Sequence, residues 1–481
     1  MFDDGSSIRS SLAGSPKELP ASPNAQTLVQ QALAHHRAGQ FGEAERLYRQ
    51  ALDLDPNHAD AIHLLGMLAF QTGDLDRAAT TIRQAIAIHP AAASYHSNLG
   101  NVLQAQNKLE EAAASYRRAL ALKPDLAETH LNLGNILQEL GDVGGSLAEY
   151  RVALQVDPDL PEASVAESTT LLLQGDFAAG WPGFEQRGRT RDYDTPMRTY
   201  PQPLWNGESL TSGRLLVWGE QGVGDEIMFA GLIPDLIRNG IPVALECDRR
   251  LVPLFARSFP GVPVISAYDP DRDTGLDVAA HLPSGSLPRF FRASATAFEA
   301  TTSPYLIADP TESTRFRSSY NDDRPLIGLA WRTRNARSGR KRSIDLATLA
   351  PLFSESRLKW ISLQYGDPTE LEAEAHAAGA PLVIDRSVDQ LSNIDRFAAQ
   401  VAAMDLVIAI DNSTAHLAAA LGRPTWLLLP FAPDWRWLLG TEHSLWYPTL
   451  RIFRQPRRDD WESVVKNVRT SIASVIEPTR G

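Results

Sequence analysis

The chain has 481 residues, of which 43% are hydrophobic and 22% are charged, and these values are typical of a globular protein of about three domains. Its formal net charge of -12 argues against nonspecific binding to nucleic acid or to an anionic membrane surface, because both select clustered positive charge. Cys247 is the single cysteine, which excludes an internal disulfide and fits the reducing cytoplasm.

Residues 1–24 predict a disordered tail. They carry acidic residues where a secretory signal needs basic ones, and they lack its apolar core. No apolar run in the sequence reaches the ~20 residues that a membrane-spanning helix requires. We therefore expect a cytoplasmic protein without a membrane span.

A 34-residue repeat organises residues 25–175. Prolines and turn residues recur at this interval, which is the helix-turn-helix pattern of tetratricopeptide repeats. The recurring positions are Pro56, Pro90, Pro124 and Pro158, and Gly39, Gly73, Asn107 and Gly141. The predicted units are 25–58, 59–92, 93–126 and 127–160, and a capping helix follows near Gly175. Such an α-solenoid presents a concave face that typically binds peptides.

Two of these units carry paired asparagines, Asn98 with Asn101 and Asn132 with Asn135. These positions recur along one face of the first helix of each unit. Their amides therefore predict a ladder that binds the backbone of an extended acceptor peptide. The alternative is that the asparagines only cap or space the helices.

Strands alternate with helices after a proline-rich linker at 176–212. Short apolar runs predict parallel strands covered by helices on both faces: LLVW, VALEC and VPVI, then LIGLAW, LKWISL, PLVI, LVIAI and TWLLL. These two series predict two Rossmann-like domains, 213–320 and 321–481, with the ligand at the carboxyl ends of the strands. We expect the final helix, 459–476, to lie against the first of these domains. The predicted fold class is α plus α/β, a repeat solenoid followed by two doubly wound parallel sheets.

A glycine-rich turn, GEQGVGDE, follows the first predicted strand. Gly222 and Gly224 allow a ligand to approach the backbone closely. The alternative is a dinucleotide-binding fingerprint, but Ile227 stands where its third glycine belongs, and Asp225 puts negative charge where a pyrophosphate would bind. We predict that Asp225 is a general base for an attacking hydroxyl, with a helix-capping aspartate as the alternative.

A second polar turn, from Asp411 to Thr414, follows the apolar run LVIAI and precedes a helix of small residues. Unpaired N–H groups at the helix start predict an anion site suited to a phosphate, and Asn412 and Ser413 add polar side chains. His416 is a further candidate contact. The alternatives are a simple N-cap at Ser413 or Thr414 and a structural helix histidine.

Six basic residues and no acid occur between positions 332 and 342: Arg332, Arg334, Arg337, Arg340, Lys341 and Arg342. A basic loop at the carboxyl end of a strand suits the neutralisation of a leaving phosphate. We select Arg332, Lys341 and Arg342 as ligand contacts. A solvated surface loop is the alternative for most of this set.

Trp435 and Arg436 follow the last predicted strand and are candidates to border the ligand, although clustered aromatic residues are usually core. The acidic sequence DPDRD at 269–273 superficially suggests a metal-binding loop. Its proline favours a solvated turn, and we predict no metal site.

Two segments carry a family resemblance. GVGDEIMFAGLIP and DNSTAHLAAALGRPTWLLLPFAPDWRWLL resemble the signature segments of GT-B glycosyltransferases of the heptosyltransferase type. The full arrangement resembles bacterial fusions of tetratricopeptide repeats to such a domain, including flagellin-modifying glycosyltransferases, and its general plan resembles the O-GlcNAc transferases. The resemblance covers nearly the whole chain after residue 24. It departs at Asn412, where many heptosyltransferases carry Thr.

The resemblance implies that the domain at 213–320 lies on the acceptor side and the domain at 321–481 on the donor side, and it implies roles for particular residues. Asp225 matches the proposed base of the family, and the segment from Asp411 to His416 matches the residues around the donor's phosphates. Gln364 and Tyr365 stand where a contact to the base or the ribose is expected.

These features predict an inverting, metal-independent transferase that moves a sugar from a nucleotide sugar to Ser or Thr of a protein held by the repeats, without a further cofactor. The resemblance implies flagellin as the acceptor and a nonulosonic acid such as pseudaminic acid, carried on CMP, as the donor. The alternative is a non-catalytic scaffold whose repeats bind partners and whose α/β part is a degenerate glycosyltransferase.

Overall fold

The computed structural model describes residues 24–195, 198–266, 275–301, 303–320, 322–333 and 339–476. The chain divides into two compact units, Met1–Leu133 and Gly134–Gly481. The boundary falls inside the predicted repeat region, because residues 134–175 group with the α/β part. Residues 1–23 of the predicted tail lie outside the described residues, and Asn24 caps the first helix by accepting a hydrogen bond from Thr27 N at 2.8 Å.

Paired helices form the region predicted as repeats. They are α1 (Ala25–Arg37), α2 (Phe41–Leu54), α3 (Ala59–Gln71), α4 (Leu75–Ile88), α5 (Ala93–Ala105), α6 (Leu109–Leu122), α7 (Ala127–Glu139), α8 (Val143–Val156), α9 (Pro161–Leu173) and α10 (Phe177–Phe184). Helices α1, α3, α5 and α7 begin at the first residues of the predicted units.

Backbone geometry explains the recurring turn residues. Gly39, Gly73, Asn107 and Gly141 have φ angles of 72°, 86°, 61° and 86°, in the left-handed region that glycine and asparagine tolerate best. Glycines inside the helices have a different role. A Cβ on Gly100 would overlap the ring of Tyr116, so the missing side chain lets α5 and α6 pack closely.

The sequence predicts that the helical region ends at Gly175, but one more helix, α10, follows it. Helix α10 packs against α9, and Phe177, Trp181 and Phe184 are buried in the core that also contains the first strands. Their i, i+4, i+7 spacing places them on one face of a helix. The predicted linker at 176–212 is therefore wrong in its first part.

The α/β part contains two sheets. The first sheet has the order β3-β2-β1-β4, and the second has the order β10-β9-β8-β5-β6-β7, with parallel pairing throughout the described strands. The strands are β1 (Arg214–Trp218), β2 (Val243–Glu246), β3 (Val264–Ile265), β4 (Val278–Pro283), β5 (Leu326–Ala330), β6 (Lys359–Ser362), β7 (Leu382–Val383), β8 (Leu406–Ile410), β9 (Thr425–Leu429) and β10 (Leu450–Arg454). The predicted fold class is confirmed.

Helices connect these strands and cover the sheets. They are α11 (Val223–Ala230), α12 (Ile233–Arg238), α13 (Val252–Ser258), α14 (Pro288–Phe291), α15 (Pro310–Tyr320), α16 (Gly339–Arg342), α17 (Pro368–Ala377), α18 (Ile394–Ala402), α19 (Ser413–Ala420) and α20 (Trp461–Ile476). Within the described ranges, no helix has both the length and the apolar character that crossing a bilayer would need.

The last helix lies against the second sheet. The expectation that it would lie against the first domain is wrong. Val464, Val465 and Val468 of α20 are buried together with Ile327 and Leu329 of β5. This amphipathic helix therefore buries its apolar face in its own half of the α/β part.

Strand order locates the crevices. In the first sheet β1 lies between β2 and β4, and in the second sheet β5 lies between β6 and β8. The chain changes direction across each sheet at these central strands, and such switch points are where open α/β sheets bind ligands. The glycine turn follows β1, the basic loop follows β5, and the polar turn follows β8.

Candidate functional site

The glycine turn and the polar turn lie in contact. Helices α11 and α19 pack together, and a Cβ on Gly224 would lie 3.3 Å from Cδ2 of His416 and 3.5 Å from Cα of Ser413. The absence of a side chain on Gly224 therefore allows the starts of the two helices to approach. This contact brings together Asp225 from the first sheet's half and the segment from Asp411 to His416 from the second.

Asp225 does not cap its helix. Gly222 is the N-cap residue of α11, without a side-chain hydrogen bond, and Asp225 stands in the first turn. Its carboxylate instead forms an ion pair with Arg436, which lies 211 positions later in the chain. The helix-capping alternative for Asp225 is therefore wrong, whereas its role as a base stays a prediction.

Asn412 caps α19. Its Oδ1 accepts hydrogen bonds from Thr414 N at 3.0 Å and from Ala415 N at 3.2 Å. The alternative of a simple N-cap at Ser413 or Thr414 is therefore wrong in its residue, because Asn412 is the N-cap. Asn412 Nδ2 and Thr414 Oγ1 are buried without a hydrogen-bond partner among the described residues. Because buried polar groups normally have partners, these two atoms mark where a polar ligand would gain hydrogen bonds.

Two arginines and three aspartates form one charged network. Arg342 contacts Asp411 at 2.9 Å and Asp434 at 3.4 Å. Arg436 contacts Asp434 at 2.6 Å and also Asp225. The network joins the end of α16, the end of β8 and the loop after β9 to the glycine turn. The sequence analysis did not select Asp434. Its position two residues before Arg436 is the one feature of the sequence that could have indicated it.

Burial and charge shift the acidic groups of this network in different directions. Burial raises the pKa of Asp225, and nearby Asp434 and Glu220 add to that effect against the opposing Arg436. Burial also raises the pKa of Asp411, against the opposing Arg342. For Asp434 the two guanidinium groups outweigh burial, so its pKa is lowered.

His416 is neutral at physiological pH. Burial, with the nearby Arg436, lowers its pKa to about 3. Its Nδ1 lies 2.9 Å from the hydroxyl of Tyr447, and its ring lies 5.2 Å from that of Trp437. Because the imidazole is buried and hydrogen-bonded, the structural alternative accounts for its position, and a contact to the donor stays a prediction.

The three selected basic side chains separate in space. Only Arg342 reaches the network of aspartates. Arg332 pairs with Glu374 of α17 at 2.8 Å, and exposed Lys341 pairs with Glu139 of α7 at 2.6 Å. Arg334 and Arg337 lie outside the described residues, as does the loop at 269–273.

Gln364 is fully buried and supports the loop after β5. Its Oε1 accepts hydrogen bonds from Trp331 N at 3.0 Å and Arg332 N at 2.9 Å. Its Nε2 donates to Arg332 O at 3.2 Å and Tyr365 O at 3.1 Å. The Gln364 amide therefore holds the start of the basic loop, whereas the half-buried Tyr365 stays a predicted contact.

Trp435 packs in the aromatic core, as its core alternative expected, and a contact to the sugar or the nucleotide stays a prediction. Its ring centroid lies 5.5 Å from that of Trp181 and 5.4 Å from that of Phe184, both on α10. It is 7% exposed. The ring of Trp435 also supports the guanidinium group of Arg436, whose carbon lies 4.8 Å from the ring centroid.

Comparison with known proteins identifies the helical region. Family models described as TPR repeat and tetratricopeptide repeat match residues 100–141 and 35–100. The N-terminal helices are tetratricopeptide repeats. Protein FlbA of Caulobacter vibrioides is 32% identical over 331 residues, which cover 64% of this chain and 54% of FlbA. The matched segment therefore spans about half the length of that relative.

Solved structures with similarity include MamA, at 19% identity and a TM-score of 0.31, covering 32% of this chain and 91% of MamA. PilF of Pseudomonas aeruginosa shares 21% identity at a TM-score of 0.33, covering 34% of this chain and 74% of PilF.

The predicted asparagine ladder connects the tetratricopeptide repeats internally. Asn101 Oδ1 accepts hydrogen bonds from the hydroxyl of Tyr116 at 2.7 Å and from Asn132 Nδ2 at 3.2 Å. Asn98 Nδ2 lies 3.0 Å from Nε2 of His63. Similarly, Asn135 accepts a hydrogen bond from the hydroxyl of Tyr150 at 2.9 Å. All four asparagines are half-buried, so they hold helices together, and peptide binding by them stays a prediction.

Proposed function

We propose that residues 134–481 form an inverting protein O-glycosyltransferase that uses a nucleotide sugar, and that the tetratricopeptide repeats hold the acceptor. The observation that carries the proposal is the contact between the glycine turn and the polar turn. It places Asp225, which forms an ion pair with Arg436, beside the start of α19, where Arg342 pairs with Asp411. A proton acceptor next to an anion site is what displacement of a phosphate by a hydroxyl requires.

The reaction would proceed by direct displacement at the anomeric carbon. The bond from this carbon to the phosphate oxygen breaks as the bond to a Ser or Thr hydroxyl oxygen of the acceptor forms. The hydroxyl proton passes to Asp225, and the phosphate keeps the electron pair of the broken bond. The start of α19 and the two guanidinium groups would stabilise that negative charge without a metal ion or a further cofactor.

The charged network suggests how phosphate binding and base strength are linked. A phosphate at the start of α19 would compete with Asp434 and Asp225 for the guanidinium group of Arg436. Since Arg436 opposes the effect of burial on Asp225, losing this ion pair would raise the pKa of the carboxyl further. Asp225 would thus become a stronger base when the donor is bound.

The acceptor and the sugar follow from the family resemblance. Flagellin is the acceptor to test first, and CMP-linked pseudaminic acid is the donor to test first. Intact-mass and peptide mass spectrometry of flagellin, from cells with and without this protein, would reveal the added mass and the modified residue. Identical masses in both strains would remove flagellin as the acceptor.

The repeats and the α/β part can be tested separately. A chain that lacks residues 1–133 contains all of the second compact unit. We expect it to lose modification of the acceptor and to retain binding of CMP in titration calorimetry. If the full chain shows no heat of binding with CMP, UDP, GDP or ADP, or with their sugar conjugates, the transferase proposal is wrong.

The second candidate is a binding protein that carries out no transfer. The ion pair between Asp225 and Arg436 favours it, because an aspartate held by an arginine is a weaker base. Loss of cellular function in an Asp225→Asn variant that still binds its partners would argue against this candidate.

A further inference from the structure

A buried ion pair joins the last helical pair to the glycine turn. Arg187 lies in the 3-10 turn Glu185–Arg189 directly after α10, and Glu220 lies in the turn between β1 and α11. Arg187 Nε donates to one carboxylate oxygen of Glu220 at 3.0 Å, and Nη2 donates to the other at 2.6 Å. Their side chains are 7% and 0% exposed.

Neighbouring groups satisfy both members of this pair. Arg187 also donates to Phe184 O at 3.1 Å and to Ser286 Oγ at 3.0 Å. Glu220 also accepts hydrogen bonds from Gly285 N at 2.7 Å and from the hydroxyl of Tyr193. A Cβ on Gly285 would overlap the Glu220 carboxylate, so the local backbone is fitted to this contact.

The segment after α10 also contacts the residue that follows Glu220, which is Gln221. Gln221 N donates to Thr195 Oγ1 at 2.6 Å, and Gln221 has a φ of 69°, an unusual conformation for a residue other than glycine. Gly222 N then donates to Glu220 O at 3.0 Å, and Glu226 N donates to Gly222 O at 2.9 Å as α11 begins. Arg187 and Thr195 thus form hydrogen bonds with the two residues that precede Gly222, three positions before Asp225.

A buried ion pair is a poor means of stabilising a fold, because removing two charges from water costs about as much as their attraction returns. Its directional hydrogen bonds, in contrast, fix geometry. Arg187 donates hydrogen bonds to Phe184, Glu185, Glu220 and Ser286, and Glu220 belongs to the backbone segment that leads to Asp225.

We propose that Arg187 and Glu220 are a positioning pair that holds the glycine turn, so that the segment after α10 is part of the catalytic body. This inference rests on the proposed function, because it assigns the pair to the placement of Asp225. It extends that function by giving the end of the helical region a role in the reaction as well as in acceptor binding.

Hydrogen exchange measured by mass spectrometry on the full chain tests the pair without a substrate. We expect Arg187→Lys and Glu220→Gln to accelerate exchange in peptides covering residues 219–226 by about tenfold, because each loses part of the paired hydrogen bonding. Arg292→Lys is the matched control, since Arg292 forms a comparably buried pair with Asp235 at 2.8 Å in the same half. In that control, exchange at 219–226 should stay within about twofold of wild type.

The pH dependence of transfer provides a readout that general loosening of the fold would not change. Arg436, Asp434, Glu220, Glu226 and Tyr447 interact electrostatically with Asp225, and the negative charge of Glu220 raises the pKa of Asp225. Base catalysis declines as the pH falls below the pKa of the base. Glu220→Gln should therefore move this decline to lower pH, and should lower kcat by about tenfold while KM for the donor stays within about threefold.

CMP-linked pseudaminic acid and flagellin are the probes for the pH measurement. If wild type transfers no sugar between them, the proposed donor and acceptor are wrong, and hydrogen exchange alone decides on the pair. Unchanged exchange at residues 219–226 in both Arg187→Lys and Glu220→Gln would overturn the positioning role, whatever the outcome with the probes.

Discussion

Two turns meet at the candidate site, and they differ in the charge at the start of the helix. The glycine turn places Asp225 and Glu226 in the first turn of α11, whereas the polar turn places neutral Asn412, Ser413 and Thr414 at the start of α19. Both helix starts favour negative charge. The first turn of α11 already carries two carboxylates and that of α19 carries none, so the start of α19 is the one suited to a phosphate from outside.

Burial acts on both turns by favouring neutral groups. It raises the pKa of Asp225 and lowers the pKa of His416 to about 3. The first effect makes the carboxylate a stronger base. The second removes a positive charge that would otherwise lie beside the arginines, so Arg342 and Arg436 supply the cationic side chains of the network.

Replacing Asp225 by asparagine tests the functional half of this comparison and should have the largest effect. Asparagine keeps the size of the side chain and cannot accept the proton, so we expect transfer to fall by about a thousandfold with CMP binding retained. Initial rates with mass-spectrometric detection, and calorimetry with CMP, measure the two quantities. Asp248→Asn is the control, because Asp248 pairs with Arg250 in the same half and is absent from the network. A variant at Asp225 with a rate within about threefold of wild type would contradict its role as the base.

Burial of His416 predicts a loss of stability in acid. Its folded-state pKa is depressed to about 3 from an ordinary 6.5, so the unfolded chain binds the proton first as pH falls. This contribution to stability is present above pH 6.5 and is lost as pH falls from there toward 3. Between pH 7 and pH 5 it amounts to about 2 kcal/mol.

The measurement is denaturant unfolding of wild type and His416→Gln at both pH values. Because glutamine does not titrate in this range, wild type should lose about 2 kcal/mol more than the variant on going from pH 7 to pH 5. His443→Gln, at an exposed histidine, controls for the substitution itself. Equal losses in wild type and His416→Gln would show that His416 is not held neutral by burial.

The features that sequence analysis predicted best are those with a strong local pattern. The 34-residue spacing identified the repeats, and the glycine turn and the polar turn each directly follow a buried strand. Strands β4 and β10 were missed because polar residues interrupt their apolar patterns, VAAHLP and LRIFR. Helix α10 was missed because its glycines and Pro182 obscured the spacing of its buried aromatic residues.

Contacts between distant residues were beyond sequence analysis. The ion pair of Asp225 with Arg436 and the pair of Arg187 with Glu220 join positions 211 and 33 residues apart, and no periodic pattern reports such contacts. The packing partners of Trp435 could not be predicted for the same reason, because the rings that bury it belong to α10. The chemistry of the two turns could be predicted, whereas the network that connects them required the fold.

Substitutions of Arg342 and Arg332 compare an arginine of the charged network with an arginine of the same basic loop that pairs elsewhere. Arg342→Met removes a cation that contacts Asp411 and Asp434 at the polar turn, so we expect CMP to bind about tenfold more weakly. Arg332→Met is the matched control, because Arg332 pairs with Glu374 away from the network, and binding should change by no more than about twofold. Titration calorimetry at one fixed ionic strength gives both values. Equal weakening in the two variants would mean that the whole basic loop acts by charge alone.

Asn412→Asp gives the start of α19 a negative charge like that at the start of α11. Its expected effect is the smallest. Aspartate caps a helix as well as asparagine does, so thermal stability should stay close to that of wild type. The added negative charge at the start of α19 would repel a phosphate, and CMP should bind about threefold more weakly. Asn412→Ala should show the opposite pattern, because it loses the hydrogen bonds to Thr414 N and Ala415 N and about 1 kcal/mol of stability without adding charge. If Asn412→Asp binds CMP as tightly as wild type, neutrality at this turn is not what suits it to an anion, and the contrast between the two turns has no functional meaning.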